Sequence, residues 1–332
     1  MVSVASFQVA SGREEFTGVR EEGVNMSFSE SGSERSRVFL WCVPRAGSTA
    51  FTRCLSAIED MEVYFEPFAY SFVAARTYKQ LCGEDLPMSY AGNEEEFRKT
   101  ADLVSYGVRT KVEPQRLAYS SVKKALENAN SKRVFVKDMG AGVVSSNAFQ
   151  FMPSGFKHTF LIRNPIRSIN STRKAMFTNQ SQLGLLKGKS ANEQTYDVEH
   201  DDPTYPSGYY IQELYDLWKY VRENIDSDPI VIDADDLLTK PAEYLKAYCD
   251  KVGLPFSESL FKWDASTDSL KSWKAAGDNL VLDAVNFYGR AMRSSEFLPP
   301  SKFPEKLTSD VIRCSNKVMK YFEEMYAHRL KL

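Results

Sequence analysis

The amino-acid sequence predicts a three-layer α/β fold, with a parallel central sheet and helices on both faces. Three observations carry this. Short apolar runs recur without polar alternation, as strands buried on both faces do. Segments with helical periodicity lie between them. The two kinds of segment alternate, which argues parallel strands joined by helical crossovers.

In chain order, residues 1–36 are rich in Ser, Gly and Glu and read as a disordered tail, leaving 37–332 as a single domain. Strands are expected at Val38–Val43, Val63–Phe65, Val134–Lys137, Thr159–Ile162 and Ile230–Ile232. Phe51, Cys54, Leu55 and Ile58 have the spacing of one helical face, and Ile211, Leu214, Trp218 and Val221 form a second stripe. Pro241 suits the first turn of a helix whose stripe runs from Tyr244 to Val252, and Gly253 and Pro255 end it. Val311, Ile312, Val318, Met319 and Phe322 mark a last helix.

With 332 residues and 43% hydrophobic content, the chain has material for a sizeable core. Its formal net charge of −2 gives no global basic field, so neither nucleic acid nor an acidic membrane is an expected partner. Five cysteines without a C-x-x-C, and only three histidines, point to free thiols in a reducing compartment and to no metal site. No basic-plus-apolar leader and no membrane-length apolar run are visible, so a cytoplasmic location is expected. The sequons at Asn25, Asn170 and Asn179 read as incidental.

In a parallel sheet, ligands sit beyond the carboxyl ends of the strands. The residues just past each expected strand are therefore informative. After the first strand comes Pro44-Arg45-Ala46-Gly47-Ser48-Thr49 and then a helix. Gly47 permits a tight turn. Ser48 and Thr49 bring hydroxyls to a helix start, where free N–H groups favour an anion, and Arg45 adds a forked cationic donor. The ATP-binding loop G-x-x-x-x-G-K-[ST] is not reproduced, because Cys42 replaces its first Gly and Ser48 its Lys. After the second strand comes Glu66, flanked by Phe65, Pro67 and Phe68, a setting that suits a general base. Lys137 and Asp138 end the third. Arg163 leaves the fourth, Ser171 lies eight residues on, and Arg167, Arg173 and Lys174 add cations, as a second phosphate site needs.

These residues together resemble the sulfotransferase family, which transfers a sulfuryl group from 3′-phosphoadenosine 5′-phosphosulfate (PAPS) to an alcohol, phenol or amine on a P-loop, nucleotide-kinase-like fold. Val43 to Thr49 match its 5′-phosphosulfate loop P-[KR]-x-G-[ST]-[ST], and Arg163 with Ser171 its 3′-phosphate pair. Residues 231–256 are similar to the family's Y-E-D-L…G-L-P segment, and the likeness spans residues 37–330. The resemblance implies that Arg45, Ala46, Gly47, Ser48, Thr49, Arg163 and Ser171 bind PAPS, without a metal, and that 3′-phosphoadenosine 5′-phosphate is released. It implies catalytic roles for Glu66, Arg45 and Lys137. Glu66 lies twenty-one residues after Arg45, the spacing of the base in the protein-tyrosine and related branch. The K-x-H segment of the His-base cytosolic branch reads Lys137-Asp138-Met139 here, without His, and leaves Asp138 as the reserve base. The adenine-side Tyr aligns with Ala234, and the R-K-G loop is replaced by Lys274, Arg290 or Arg293.

The expected acceptor is a small molecule, housed by residues 67–90, with Phe68, Tyr70 and Phe72, and by residues 177–210. The polar stretch 178–208 is a candidate lid, and its Asp197, Glu199, Asp201 and Asp202 suit a cationic acceptor. The alternatives are an ATP-dependent phosphotransferase on the same fold and a non-catalytic nucleotide-binding relative.

Overall fold

Five parallel strands build one sheet: β1 (Ser36–Cys42), β2 (Met61–Phe65), β3 (Arg133–Met139), β4 (Lys157–Ile162) and β5 (Ile230–Asp233), in the order β2-β3-β1-β4-β5. The computed structural model describes residues 35–202, 205–300 and 302–332. The expected tail therefore lies, as far as residue 34, outside the described residues, and Ser36 already belongs to β1. Each expected strand is present. Four of them begin one or two residues earlier than the apolar runs do, because polar residues such as Arg133 and Lys157 continue the ladders at the open ends.

The helices in chain order are α1 (Ser48–Ser56), α2 (Pro67–Cys82), α3 (Glu94–Val108), α4 (Tyr119–Glu127), α5 (Ala141–Val144) and α6 (Pro165–Gln182). They continue with α7 (Ile211–Asn224), α8 (Ala234–Thr239), α9 (Pro241–Val252), α10 (Leu280–Asp283), α11 (Val285–Met292) and α12 (Ser309–Ala327). Alternate residues of the central strand show that both faces of the sheet are covered. Phe39 and Trp41 stack toward Phe68 of α2 and His158. On the opposite face Phe51 of α1 packs edge-on against Phe135 and Tyr248, and the Tyr248 hydroxyl of α9 lies 3.0 Å from Thr159 Oγ1. With both faces buried, the strands carry the unbroken apolar runs seen in the sequence.

The register aligns the strand ends. Cys42 pairs with Met139 and with Leu161, Phe65 with Lys137, and Ile162 with Asp233. The loops after β1, β2, β3 and β4 thus open on one edge, where the candidate residues were expected. A later segment lengthens the β2 side: the Phe65 N–H donates to the Lys274 carbonyl at 2.8 Å, and the Lys274 N–H to the Val63 carbonyl at 2.9 Å. The Lys274 ammonium pairs with Glu62 on that outer edge and lies away from the phosphate loop. Among the described residues no helix is long and apolar enough to cross a membrane.

Candidate functional site

Two neighbouring cavities occupy the carboxyl edge of the sheet. The larger, about 420 Å³, is lined by residues of the loop after β1, by Glu66 and Lys137, and by α2, α3, α6 and α11. The smaller, about 270 Å³, is lined by Arg163, Arg167, Ser171, Lys174, Arg290 and Lys302, with no acid in its wall among the described residues. Arg163, Ser171 and Arg290 belong to both, and so mark the cationic end of the larger cavity.

The loop after β1 bends through two left-handed residues, Arg45 (φ 64°) and Gly47 (φ 80°). A side chain at Gly47 would meet nothing within 4 Å, so the turn is demanded by backbone conformation and faces open space. Residues of α6 and of the turn before it hold the loop. Ser168 Oγ donates to the Pro44 carbonyl at 2.8 Å, and the Arg163 guanidinium donates to the carbonyl of Arg45. Arg45 Nε in turn donates to Ser171 Oγ at 3.1 Å, and its Nη1 to the Phe287 carbonyl. The three residues expected around the phosphates therefore touch one another directly. Arg45 points toward α6 and α11; its hydrogen bonds do not reach Glu66.

Burial pushes the Arg163 guanidinium below its ordinary value, Asp235 opposes this, and Arg167, Arg45 and Arg290 add to it. Burial and Arg290 act the same way on Arg45. Asp235 lies 3.8 Å from Arg163 and 3.1 Å from Arg167, the nearest acid to these cations among the described ion pairs. Arg163 Nε is buried without a hydrogen bond, and Asp235 Oδ1 faces it at ion-pair distance, 3.8 Å. One carboxylate against Arg45, Arg163, Arg167 and Arg290 leaves an excess of positive charge that favours an anion.

The second cluster centres on Glu66. It caps α2 in a left-handed conformation (φ 55°, ψ 40°). Pro67 opens the helix and bars the right-handed region for the residue before it, but it favours extended backbone; the left-handed conformation of a non-glycine here is strain held by the surrounding structure. Glu66 is buried, its Oε1 pairs with Lys137 Nζ, and its Oε2 accepts from the Tyr288 hydroxyl at 2.6 Å. Burial works to lower the Lys137 pKa, but Cys42 and Glu66 outweigh it and hold the ammonium above its ordinary value. Burial and Glu66 raise the Tyr288 phenol, so it is a proton donor to Glu66 at neutral pH.

Asp138, the reserve base, has another task. Its carboxylate accepts from the Phe68, Ala69 and Met139 N–H groups at 2.6, 3.1 and 2.8 Å. It thus satisfies two free donors of the first turn of α2, and so fixes where Glu66 stands. Burial raises its carboxyl to about 7, with those N–H groups pulling it back.

Helix α11 completes the site, and the sequence did not show it. Buried Arg53 of α1 donates to the carbonyls of Ala291 and Met292, at the end of α11 where the helix dipole is negative. The helix is thereby clamped over the phosphate loop, delivering Phe287, Tyr288 and Arg290. Of the three basic residues named as substitutes for the missing loop, Arg290 lines both cavities, whereas Lys274 and Arg293 line neither.

Two expectations about the acceptor end are corrected. Phe68 stacks on Tyr119 beneath the sheet edge and does not reach the cavity, because Asp138 turns this first residue pair of α2 inward. The stretch 178–208 is tied down in its described part. Arg313 reaches Asp197 and Glu199 at 2.8 Å each, Lys317 reaches Glu199 at 2.6 Å, and Tyr196 and Val198 are buried. Asp197 and Glu199 serve α12, and of this stretch Asn179, Gln180, Leu183 and Leu185 line the cavity, with Tyr210 just beyond its other end. Asp197 and Glu199, with His200, form a grouping of potential metal-ligand atoms among the described residues, but the two carboxylates are already engaged by cations.

No protein-family model matches the chain. Over 268 residues, 81% of the chain, it is 24% identical to branched-chain-amino-acid aminotransferase-like protein 2 of Arabidopsis thaliana, of which it covers 37%. It is 29% identical over 113 residues to sulfotransferase ppzF of Metarhizium majus, of which it covers 30%. The chain thus spans about a third of the length of the curated relatives it matches. Among solved structures, the sulfotransferase domain from the curacin biosynthetic pathway matches 86% of this chain and 99% of its own, at TM-score 0.40 and 13% identity. The sulfotransferase domain from the Synechococcus PCC 7002 olefin synthase matches 91% and 98%, at TM-score 0.40 and 15% identity. At that level of likeness neither carries an argument about activity.

Proposed function

We propose that residues 37–332 form a PAPS-dependent sulfotransferase that acts on a hydroxyl of a small-molecule acceptor. One observation carries the reading: a cavity walled by five cations and no acid adjoins a buried Glu66–Lys137–Tyr288 cluster across shared residues. The limited similarity to a named sulfotransferase supports it.

The residues present fit the donor. Arg163 Nε is a buried donor with no hydrogen bond and only the distant Asp235 carboxylate opposite it, Gly47 leaves open space at the start of α1, and Ser48 and Thr49 come next with hydroxyls. Gly47, Ser48 and Thr49 hold the 5′-phosphosulfate, with Ala46 and Arg45 completing the loop. Arg163, Ser171 and the basic cavity beyond them hold the 3′-phosphate, a group ATP lacks. When bound, PAPS supplies a sulfuryl group on a stable bisphosphate leaving group.

The chain's own residues supply the rest. The acceptor hydroxyl approaches Glu66 and loses its proton to that carboxylate as its oxygen bonds to sulfur and the sulfur–phosphate oxygen bond breaks. Tyr288 holds Oε2, which orients the carboxylate. Lys137 stabilises charge that grows on the transferred group and bridging oxygen, a contribution worth about 3–4 kcal/mol per donor. Arg45 acts from the α6 side, on the phosphate. Five unpaired cysteines suit a reducing, cytoplasmic setting.

A thermal-shift comparison of 3′,5′-bisphosphate, AMP and ATP, with and without magnesium, tests the reading. The bisphosphate should stabilise the protein most, independently of magnesium. Stabilisation by ATP that requires magnesium would instead establish the phosphotransferase alternative.

A further inference from the structure

The larger cavity continues beyond Glu66 into a lobe of different character. Its walls there are Phe72 and Val73 of α2, Leu103, Val104 and Val108 of α3, and Met176 of α6. The lining contributed by these three helices contains one charged side chain, Arg76, whose guanidinium lies 5.5 Å from the Phe72 ring centroid, and it contains no acid. The uncharged polar groups on these helices are Tyr70, Thr77, Ser171, Thr172, Asn179 and Gln180, of which Ser171 already accepts from Arg45, Thr172 donates to the Ser168 carbonyl, and Asn179 faces Asn286. Leucines continue to the mouth. Leu103, Leu185 and Leu298 line the cavity yet are 44%, 57% and 37% exposed. Apolar side chains left in water around a cavity entrance mark a surface that a ligand covers.

Resting on the transfer reading above, we propose that this lobe takes an uncharged alcohol with a long apolar body, its hydroxyl at Glu66 and its tail running out past Leu103 and Leu185. The charges exclude the other acceptor classes. Along the α2, α3 and α6 walls an ammonium acceptor finds no carboxylate; Glu66 is already engaged by Lys137 and Tyr288, and Glu296 lines the cavity from the segment after α11, outside these walls. Asp197 and Glu199, which an ammonium would need, serve Arg313 and Lys317 instead. A polyol, bearing many hydroxyls, would leave most of them unpaired against Val, Leu and Phe, each at the cost of lost hydration. Only an apolar body matches walls of this composition, and only one hydroxyl has a receiving group.

The test is a homologous series of straight-chain primary alcohols from four to ten carbons, with glucose and tyramine as contrasts, assayed on the full chain with PAPS. Each buried methylene should raise kcat/KM roughly fourfold until the lobe is filled. Glucose and tyramine should fall at least a hundredfold below the best alcohol. Leu103→Asp and Leu185→Asp, at exposed positions that do not support the core, should each lower kcat/KM for decanol about tenfold or more. Both should keep the wild-type Kd for 3′,5′-bisphosphate. Saturation-transfer NMR on the bisphosphate-bound protein should show decanol bound and glucose free. A flat chain-length series, or preference for glucose or tyramine, overturns the acceptor assignment while leaving the donor reading in place. Absence of bisphosphate binding overturns the donor reading itself.

Discussion

Replacing Glu66 by Gln removes the proposed base with almost no change in shape. Gln retains a carbonyl oxygen and adds an amide N–H₂, so one of its two partners, Lys137 on Oε1 or Tyr288 on Oε2, loses its acceptor. The substitution has two effects, of different kinds. Loss of a general base costs about 10²- to 10⁴-fold in rate, or ~3–5 kcal/mol of barrier. Separately, Lys137, with its side chain only 4% exposed, is left as a buried cation without its partner. Breaking such a pair costs about 3–5 kcal/mol of stability. The two are separated by measuring kcat well below the Tm of the variant, together with the Kd for 3′,5′-bisphosphate. Glu66→Gln should lose at least a hundredfold in kcat and hold its bisphosphate Kd within about threefold of wild type, since Glu66 bears on the acceptor. Adding Lys137→Met should recover much of the lost Tm, because no buried charge is then unpaired, and should recover none of the activity. A folded Glu66→Gln protein turning over within about threefold of wild type would refute the assignment of the base.

Three further outcomes are expected. Arg163→Ala should raise the Kd for 3′,5′-bisphosphate by roughly ten- to a hundredfold, the value of a charge-assisted contact, and that for AMP much less; isothermal titration reads both, and equal losses would remove the 3′-phosphate role. Tyr288→Phe keeps the ring packed edge-on against Phe65 and deletes only the hydroxyl that meets Glu66, so kcat should fall about tenfold or more with the bisphosphate Kd unchanged, and an unchanged kcat would show that Glu66 needs no such orienting group. Burial pushes the His158 imidazole, 2% exposed, down to about 4, so as pH falls the unfolded chain binds that proton first, near 6.5. The neutral ring's contribution is then lost between pH 6.5 and 4, ~3 kcal/mol in all. His158→Gln, which retains an acceptor for the Trp41 N–H at His158 Nδ1, should flatten that part of the denaturation profile, and an equally steep variant would place the acid sensitivity elsewhere.

The sequence carried the frame because its determinants are local. Val38, Leu40 and Phe135 sit in unbroken apolar runs because both sheet faces are covered, and Pro241 and Gly253 bound a helix by their own backbone preferences. The loop from Pro44 to Thr49, Glu66, Lys137 and Arg163 were legible because parallel strands place their carboxyl ends on one edge. The features that escaped are non-local. Tyr288 meets Glu66 across 222 residues of sequence, and no local pattern announces that α11 folds back over β2. Arg53, on a helix face read only for its apolar stripe, turns out to hold α11 in place. Asp138 looked catalytic because it ends a strand, yet its carboxylate belongs to the first turn of α2. The acids at Asp197 and Glu199 looked available because their partners, Arg313 and Lys317, lie more than a hundred residues away.

The central claim, that the two adjoining cavities serve one transfer reaction, is tested most directly by mixing the protein with PAPS labelled in its sulfuryl group, with and without decanol, and without added metal. The account predicts release of 3′,5′-bisphosphate that depends on the alcohol, with the label recovered one-for-one in a decyl sulfate. Bisphosphate binding without any transfer of label to an acceptor, or hydrolysis of ATP in its place, would contradict it.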